Sequence, residues 1–402
     1  MPNGDKPALR SPLRADRALL HEEGACLPLR SRHGQCQACA QACPVGALDV
    51  SLSGVALKDA CMGCGRCVAA CPTEALMLPE LEPLLAVQPS AVAAAGQAMR
   101  IECRKVPASA HSGPTLVVPC LGAVRAGQLM ALAAQGGDVL VVDRGWCETC
   151  EAGCGEGGAA EPAVHPADVA LGAARLWLEA VGASPLPQWV QDPLPLAQRP
   201  ATIPTAPAPA ETVSRRSFFR AAMEKPAGRD KAGGTPMGGD GRAAYPADRR
   251  QPSPERERQL QALQAVVGVR GGVVPGEFFA QLHVGGDCCD HRLCVALCPT
   301  AALTVSEEGG EARLQVSGER CIACGVCQRA CPEGALQMQP YGGQAGIRTL
   351  ITHRRHTCPS CGDRYTLAER EAGGGGAALC PTCTKSQSFM DDARRQLFGR
   401  PD

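Results

Sequence analysis

Aromatic rings are scarce in this sequence: Phe, Trp and Tyr make up 3% of its 402 residues. That argues against the stacking platforms that grip single-stranded nucleic acid, and it leaves little with which to build one large conventional core. Net charge is also missing. Forty Lys and Arg stand against 40 Asp and Glu, so no overall field draws the chain toward nucleic acid or an acidic membrane face. Nor is there a long apolar run. The nearest stretch, Val117 to Val142, is interrupted by Arg125, Gln128, Gln135 and Asp138, and a membrane span needs about 18 apolar residues together. Residues 1–20 carry charges throughout, without the apolar centre of a signal peptide. The expected setting is soluble and cytoplasmic. No G-x-G-x-x-G fingerprint follows a strand pattern and no Ser/His/Asp motif is evident, so neither a dinucleotide site nor a nucleophilic triad is expected.

What the chain has in excess is cysteine, 25 residues of it. The C-x2-C spacings point to metal ligation rather than to disulfides. Cys61, Cys64, Cys67 and Cys71-Pro72 follow the C-x2-C-x2-C-x3-C-P pattern. In that pattern three thiolates hold one cubane, and the fourth crosses to a neighbouring cluster. Gly63 and Gly65 let the loop turn tightly enough for the thiols to converge. The same run recurs at Cys321, Cys324, Cys327 and Cys331-Pro332.

From Ala25 to about Leu78 the sequence resembles a bacterial two-cluster ferredoxin domain, carried by Cys36-x2-Cys39-x3-Cys43-Pro44 and the run at Cys61. The resemblance implies a short helix after each motif, at Pro44 and Pro72. It also implies a hairpin of Asp49–Leu52 and Val55–Leu57 turning at Ser53-Gly54. One [4Fe–4S] cluster would take Cys43, Cys61, Cys64 and Cys67. The other would take Cys36, Cys39 and Cys71 with either Cys26 or His33; Cys26 is preferred because thiolate is the usual cubane ligand. A second module, about Gly285 to Gln339, repeats the pattern with Cys298, Cys321, Cys324 and Cys327 as a complete set. Its partner motif is irregular. Cys288, Cys294 and Cys331 remain, with Cys289 or His291 as fourth ligand, or a [3Fe–4S] cluster on three thiolates.

Between the modules, Arg100–Cys103, Thr115–Cys120 and Val139–Asp143 read as short buried strands, with helical stretches at Gly122–Gln135 and Pro166–Val181. Strand–helix alternation implies a small parallel sheet. Cys103 and Cys120 end their strands, and Cys147-x2-Cys150-x3-Cys154 follows the third. Five cysteines therefore gather at the carboxyl edge, where such sheets place their sites. Residues 99–183 resemble the delta-type subunits found beside hydrogenases and heterodisulfide reductases. A further iron–sulfur or zinc site from Cys120, Cys147, Cys150 and Cys154 is expected.

Residues 79–98 and 184–258 read as linkers, the second disordered. Within it Ser214-Arg-Arg-Ser-Phe-Phe-Arg220 resembles a twin-arginine motif, but its mid-chain position makes it a docking or linker segment. Near the end, Cys358-x2-Cys361 and Cys380-x2-Cys383 fit a zinc ribbon. A single rubredoxin-like iron is the alternative, and His353 and His356 are expected bystanders. A polar helical tail follows from 384.

The expected architecture is α+β and multidomain: ferredoxin-like modules at 21–80 and 280–342, a small α/β domain at 99–183, and a ribbon at 350–390. The expected function is a multi-cluster electron carrier with up to four [4Fe–4S] clusters, one of them alternatively [3Fe–4S], plus zinc. It would serve a redox protein, and by resemblance a formate dehydrogenase, a hydrogenase or a heterodisulfide reductase. A redox-regulatory or assembly factor that docks on such an enzyme is the second reading. Catalysis at the middle-domain cysteines is the third.

Overall fold

Cysteine loops, rather than aromatic rings, organise the first module. A computed structural model describes residues 10–81, 97–153, 165–199, 250–368 and 379–398. Strands β1 (Ser11–Pro12) and β2 (Leu20–His21) precede helices α1 (Leu27–Arg30) and α2 (Ala38–Gln41). The hairpin β3 (Leu48–Val50) and β4 (Val55–Leu57), helix α3 (Arg66–Ala70) and β5 (Leu76–Met77) complete the module. Strand β2 pairs antiparallel with both β1 and β5, so the two ends of the module close on each other. Leu19, Leu48, Leu57, Val68 and Leu76 fill the space between cysteine loops. The helices expected at Pro44 and Pro72 are turns instead. Gly46 and Glu74 take left-handed φ values of 57° and 52° there, which no right-handed helix continues.

The middle domain is a parallel sheet. Strands β6 (Met99–Cys103), β7 (Thr115–Val118), β8 (Val139–Asp143) and β9 (Gln188–Gln191) lie in the order β7-β6-β8-β9, every pairing parallel. Helices α4 (Ala126–Ala133) and α5 (Asp168–Ala180) bury Leu129, Met130, Leu171, Ala174 and Leu178 in the same core as Ile101 and Val141. The linker expected at 184–258 is partly structured. Its start supplies β9, and its end begins helix α6 (Pro254–Arg270). The twin-arginine segment lies outside the described residues.

Helix α6 has the signals of a well-bounded helix. The Ser253 hydroxyl accepts from the Arg256 N–H, Pro254 stands in the first turn, and Gly271 ends the helix at φ 74°. It buries only Ala262, Leu263 and Val266, a stripe too thin to stand out among Arg, Glu and Gln. Yet it touches all three folded units. The Ser253 hydroxyl donates to the Pro72 carbonyl of module 1 at 3.2 Å. Glu255 accepts from the Gly127 N–H of the middle domain at 2.6 Å. The Arg256 guanidinium lies 3.8 Å from the centre of the Phe278 ring and donates to the Phe278 carbonyl, on the lead into module 2. Leu263 has no exposed surface. Leu263→Ala is expected to destabilise the folded chain by about 2–5 kcal/mol, measured by urea unfolding.

Module 2 contains β10 (Gln281–Val284), α7 (Leu293–Leu297), β11 (Leu303–Glu308), β12 (Glu311–Ser317), α8 (Val326–Ala330) and β13 (Leu336–Gln339). Gly309 and Gly310, at φ 58° and 83°, make the two-residue turn between β11 and β12. Strands β14 (Ile347–Thr357) and β15 (Arg364–Ala368) and helix α9 (Pro381–Phe398) follow. The ribbon expected at 350–390 is not a separate unit. Strand β14 pairs along β12, giving one sheet of order β11-β12-β14-β15. The second cysteine knuckle opens directly into α9.

Candidate metal centres

In module 1 the cysteines divide between two hollows. Cys43, Cys61, Cys64 and Cys67 line one, walled otherwise by apolar groups such as Leu19 and Leu57. Cys26, Cys36, Cys39 and Cys71 line the other. Cys26 enters from the residue before α1. His33 lies outside this hollow; its carbonyl accepts from the Arg329 guanidinium of module 2 at 2.8 Å.

Burial pushes the Cys26 thiol up to about 12 and Cys39 to about 11, and holds Cys67 well above the ordinary range. Such thiols keep their protons until a cation compensates the thiolate charge, so metal loading releases protons. Backbone N–H groups of Ala47 and Ala75 donate to the sulfurs of Cys43 and Cys71, each at 3.2 Å. Such contacts fix the orientation of the two sulfurs.

A third hollow is lined by Cys103, Cys120, Cys147 and Cys150 of the middle domain. Its wall also includes Met62 and Cys64 of module 1, so this hollow and the Cys43–Cys67 hollow share a partition. Glycine makes the approach close enough: Gly65 is left-handed at φ 82°, and a Cβ there would lie 2.8 Å from that of Ala123. The Arg66 guanidinium crosses the seam to donate to the Gly153 carbonyl. Burial raises Cys120 to about 12, and burial followed by the nearby Asp143 carboxylate raises Cys147 further. The Lys105 ammonium donates to the Cys150 sulfur at 3.4 Å.

The expected fourth ligand, Cys154, lies outside the described residues, whereas Cys103 lines the hollow. The sheet register explains this: β6 is flanked by β7 and β8, and Cys103 stands opposite Val118, two residues before Cys120. Asp143, Cys147 and His165 also converge, with donor atoms within 4.8 Å of one another; nothing in the spacing of the sequence links His165 to the other two.

In module 2, burial and then the neighbouring Cys324, Cys321 and Cys298 raise Cys327, and Cys324 is pushed up to about 11. Cys294 is raised to about 11 by burial and then by Cys288, with Cys331 also close. Cys289 turns its thiol to the Asp287 carbonyl at 3.4 Å. The His291 Nε2 lies 3.3 Å from a Glu333 carboxylate oxygen. His353, an expected bystander of the ribbon, is instead buried against this centre. Its Nε2 is 3.1 Å from the Cys288 carbonyl oxygen.

At the ribbon, the sulfurs of Cys358, Cys361, Cys380 and Cys383 lie within 4.8 Å of one another. The Cys380 N–H donates to the Cys358 sulfur at 3.4 Å, and this hydrogen bond leads in holding that thiol down at about 6. Four thiols this close suit one tetrahedral ion.

Among the described residues no helix is long and apolar enough to cross a membrane. Residues 286–335 match a family model described as a 4Fe-4S dicluster domain, and residues 34–78 match the LdpA Fe-S cluster-binding domain. An uncharacterized ferredoxin of Methanocaldococcus jannaschii is 34% identical over 62 residues. That match covers 15% of this chain and 37% of the relative's own length. Both cysteine-rich modules thus match iron–sulfur cluster-binding domains.

Proposed function

We propose that this chain is a multi-cluster iron–sulfur electron carrier whose middle domain adds a fifth centre to the two pairs of the ferredoxin modules. The observation that carries it is the partition at Cys64, which puts the middle hollow directly beside a ferredoxin hollow. Iron–sulfur clusters, when bound, supply one-electron redox chemistry. The chain's own residues gather thiols, keep water from them with apolar walls, and hold the units in contact. Arg329 contributes to that contact: it donates to the His33 carbonyl of module 1 and to the Cys324 carbonyl of its own module, each at 2.8 Å. The four-thiol ribbon would hold a structural zinc that fixes β14, β15 and α9. The partner is a soluble redox protein in the cytoplasm, such as a formate dehydrogenase or hydrogenase.

A docking role is the second reading. It is favoured by α9, where Phe389, Met390 and Leu397 stand exposed. Stopped-flow spectroscopy separates the two. Under the carrier reading, the reduced full chain passes electrons rapidly to a soluble acceptor such as cytochrome c, and the double variant Cys61→Ser/Cys321→Ser does so far more slowly. Equal rates in the two proteins contradict the carrier reading.

A further inference from the structure

Three cysteine loops in this protein follow one backbone path. In Cys61–Cys67, Gly63 and Gly65 are left-handed at φ 62° and 82°. In Cys321–Cys327, Ala323 and Gly325 are left-handed at 52° and 70°. In Cys288–Cys294, Asp290 and Arg292 are left-handed at 52° and 59°. Each loop then enters a helix of 5 residues whose N-cap is the second left-handed residue. The position between the two left-handed residues is Cys64 in the first loop and Cys324 in the second. In the third it is His291.

Asp290 and Arg292 each carry a Cβ, so a left-handed backbone is disfavoured at both. An ion pair between them, 2.9 Å long, secures the turn. The loop therefore keeps the ligand-presenting path without glycine at either position. Cys289 occupies the place of Met62 and Ile322, neither of which is a cubane ligand; its thiol donates to the Asp287 carbonyl and lies, with a His291 ring nitrogen and a Glu333 carboxylate oxygen, in a group whose donor atoms are within 4.8 Å of one another.

We propose that His291 is the fourth ligand of the centre formed by Cys288, Cys294 and Cys331, and that Glu333 is the positioning residue for its ring. The inference rests on the iron–sulfur reading of module 2 and goes beyond it by naming a mixed thiolate–imidazole set. Glu333 follows Cys331-Pro332 and meets the His291 Nε2 at 3.3 Å. A ring whose Nε2–H is held by a carboxylate offers Nδ1 to the metal, the usual way a second group orients a ligating histidine. A neutral imidazole in place of a thiolate removes one negative charge from the centre, which raises its reduction potential. The His291 side chain is 45% exposed, so this higher-potential centre lies at the surface, where an external redox protein can reach it.

The test is an EPR redox titration of the anaerobically reconstituted full chain, with iron and sulfide counted in each variant. His291→Cys is expected to keep the iron count and lower the midpoint of this centre. His291→Ala is expected to lose about one iron and show an oxidised [3Fe–4S] signal. Glu333→Gln is expected to keep its iron with a shifted midpoint, and Cys289→Ala to match the unsubstituted chain. The assignment is overturned if Cys289→Ala opens the cluster while His291→Ala leaves both iron and midpoint unchanged. It is also overturned if His291→Ala keeps the cluster but loses a bound Co²⁺ probe, because that marks a separate ion on Cys289, His291 and Glu333. A chain with no iron or sulfide at all fails the carrier reading itself, a result distinguishable from either of these.

Discussion

Cys120→Ser is expected to remove about four irons, with their sulfides. Cys120 is 7% exposed at the end of β7, and its sulfur accepts from the Gly122 N–H at 3.4 Å. The hydroxyl of serine is a harder and far less acidic group than a thiol, so the substitution leaves three thiolates around a space shaped for four. Cys103→Ser should behave as Cys120→Ser does, because both line the same hollow. The irons of module 1 should persist in either variant, since Cys64 presents its thiol with Cys43, Cys61 and Cys67. Iron and sulfide analysis after anaerobic reconstitution checks this. Iron kept in full with Cys103→Ser would remove Cys103 from the ligands of this centre.

The second large effect falls on stability. Glu74 accepts from Arg258 of α6 at 2.5 Å and from Arg125 at 3.3 Å, with its side chain 13% exposed. Arg125 is 6% exposed and also donates to the Val68 and Cys71 carbonyls. Module 1, the middle domain and α6 thus meet on one carboxylate. Glu74→Ala takes the shared carboxylate from two guanidinium groups at a largely buried seam, while Arg258 keeps its pair with Glu255 and Arg125 its two carbonyls, so the expected loss is about 1–3 kcal/mol. Urea unfolding of the loaded chain should show that loss, with Glu74→Gln milder because it still accepts hydrogen bonds. The double variant Glu74→Ala/Arg258→Ala should lose less than the sum of the single losses, since the two residues share one interaction.

Cysteine spacing made the ferredoxin-like modules and the ribbon thiols legible because ligands to one centre must come from short, tight loops. Three of the four strands of the parallel sheet were legible for a similar reason: their signals are local. What spacing could not convey was non-local. Helix α6 hides its three buried residues among charges, and its importance lies in contacts to three units far apart in sequence. The place of Cys103 depends on strand register. The fusion of the ribbon to module 2 depends on β14 choosing β12 as a partner. His291 looked like a missing cysteine in the sequence. Only the left-handed pair at Asp290 and Arg292 reveals that its loop retains the ligand path.

The most direct test of the whole account is iron, sulfide and zinc per chain in anaerobically reconstituted protein. Under the carrier reading, five clusters and one ribbon zinc predict about 20 irons, an equal amount of acid-labile sulfide and about one zinc. Fewer than about ten irons, or metal bound without sulfide, would contradict it.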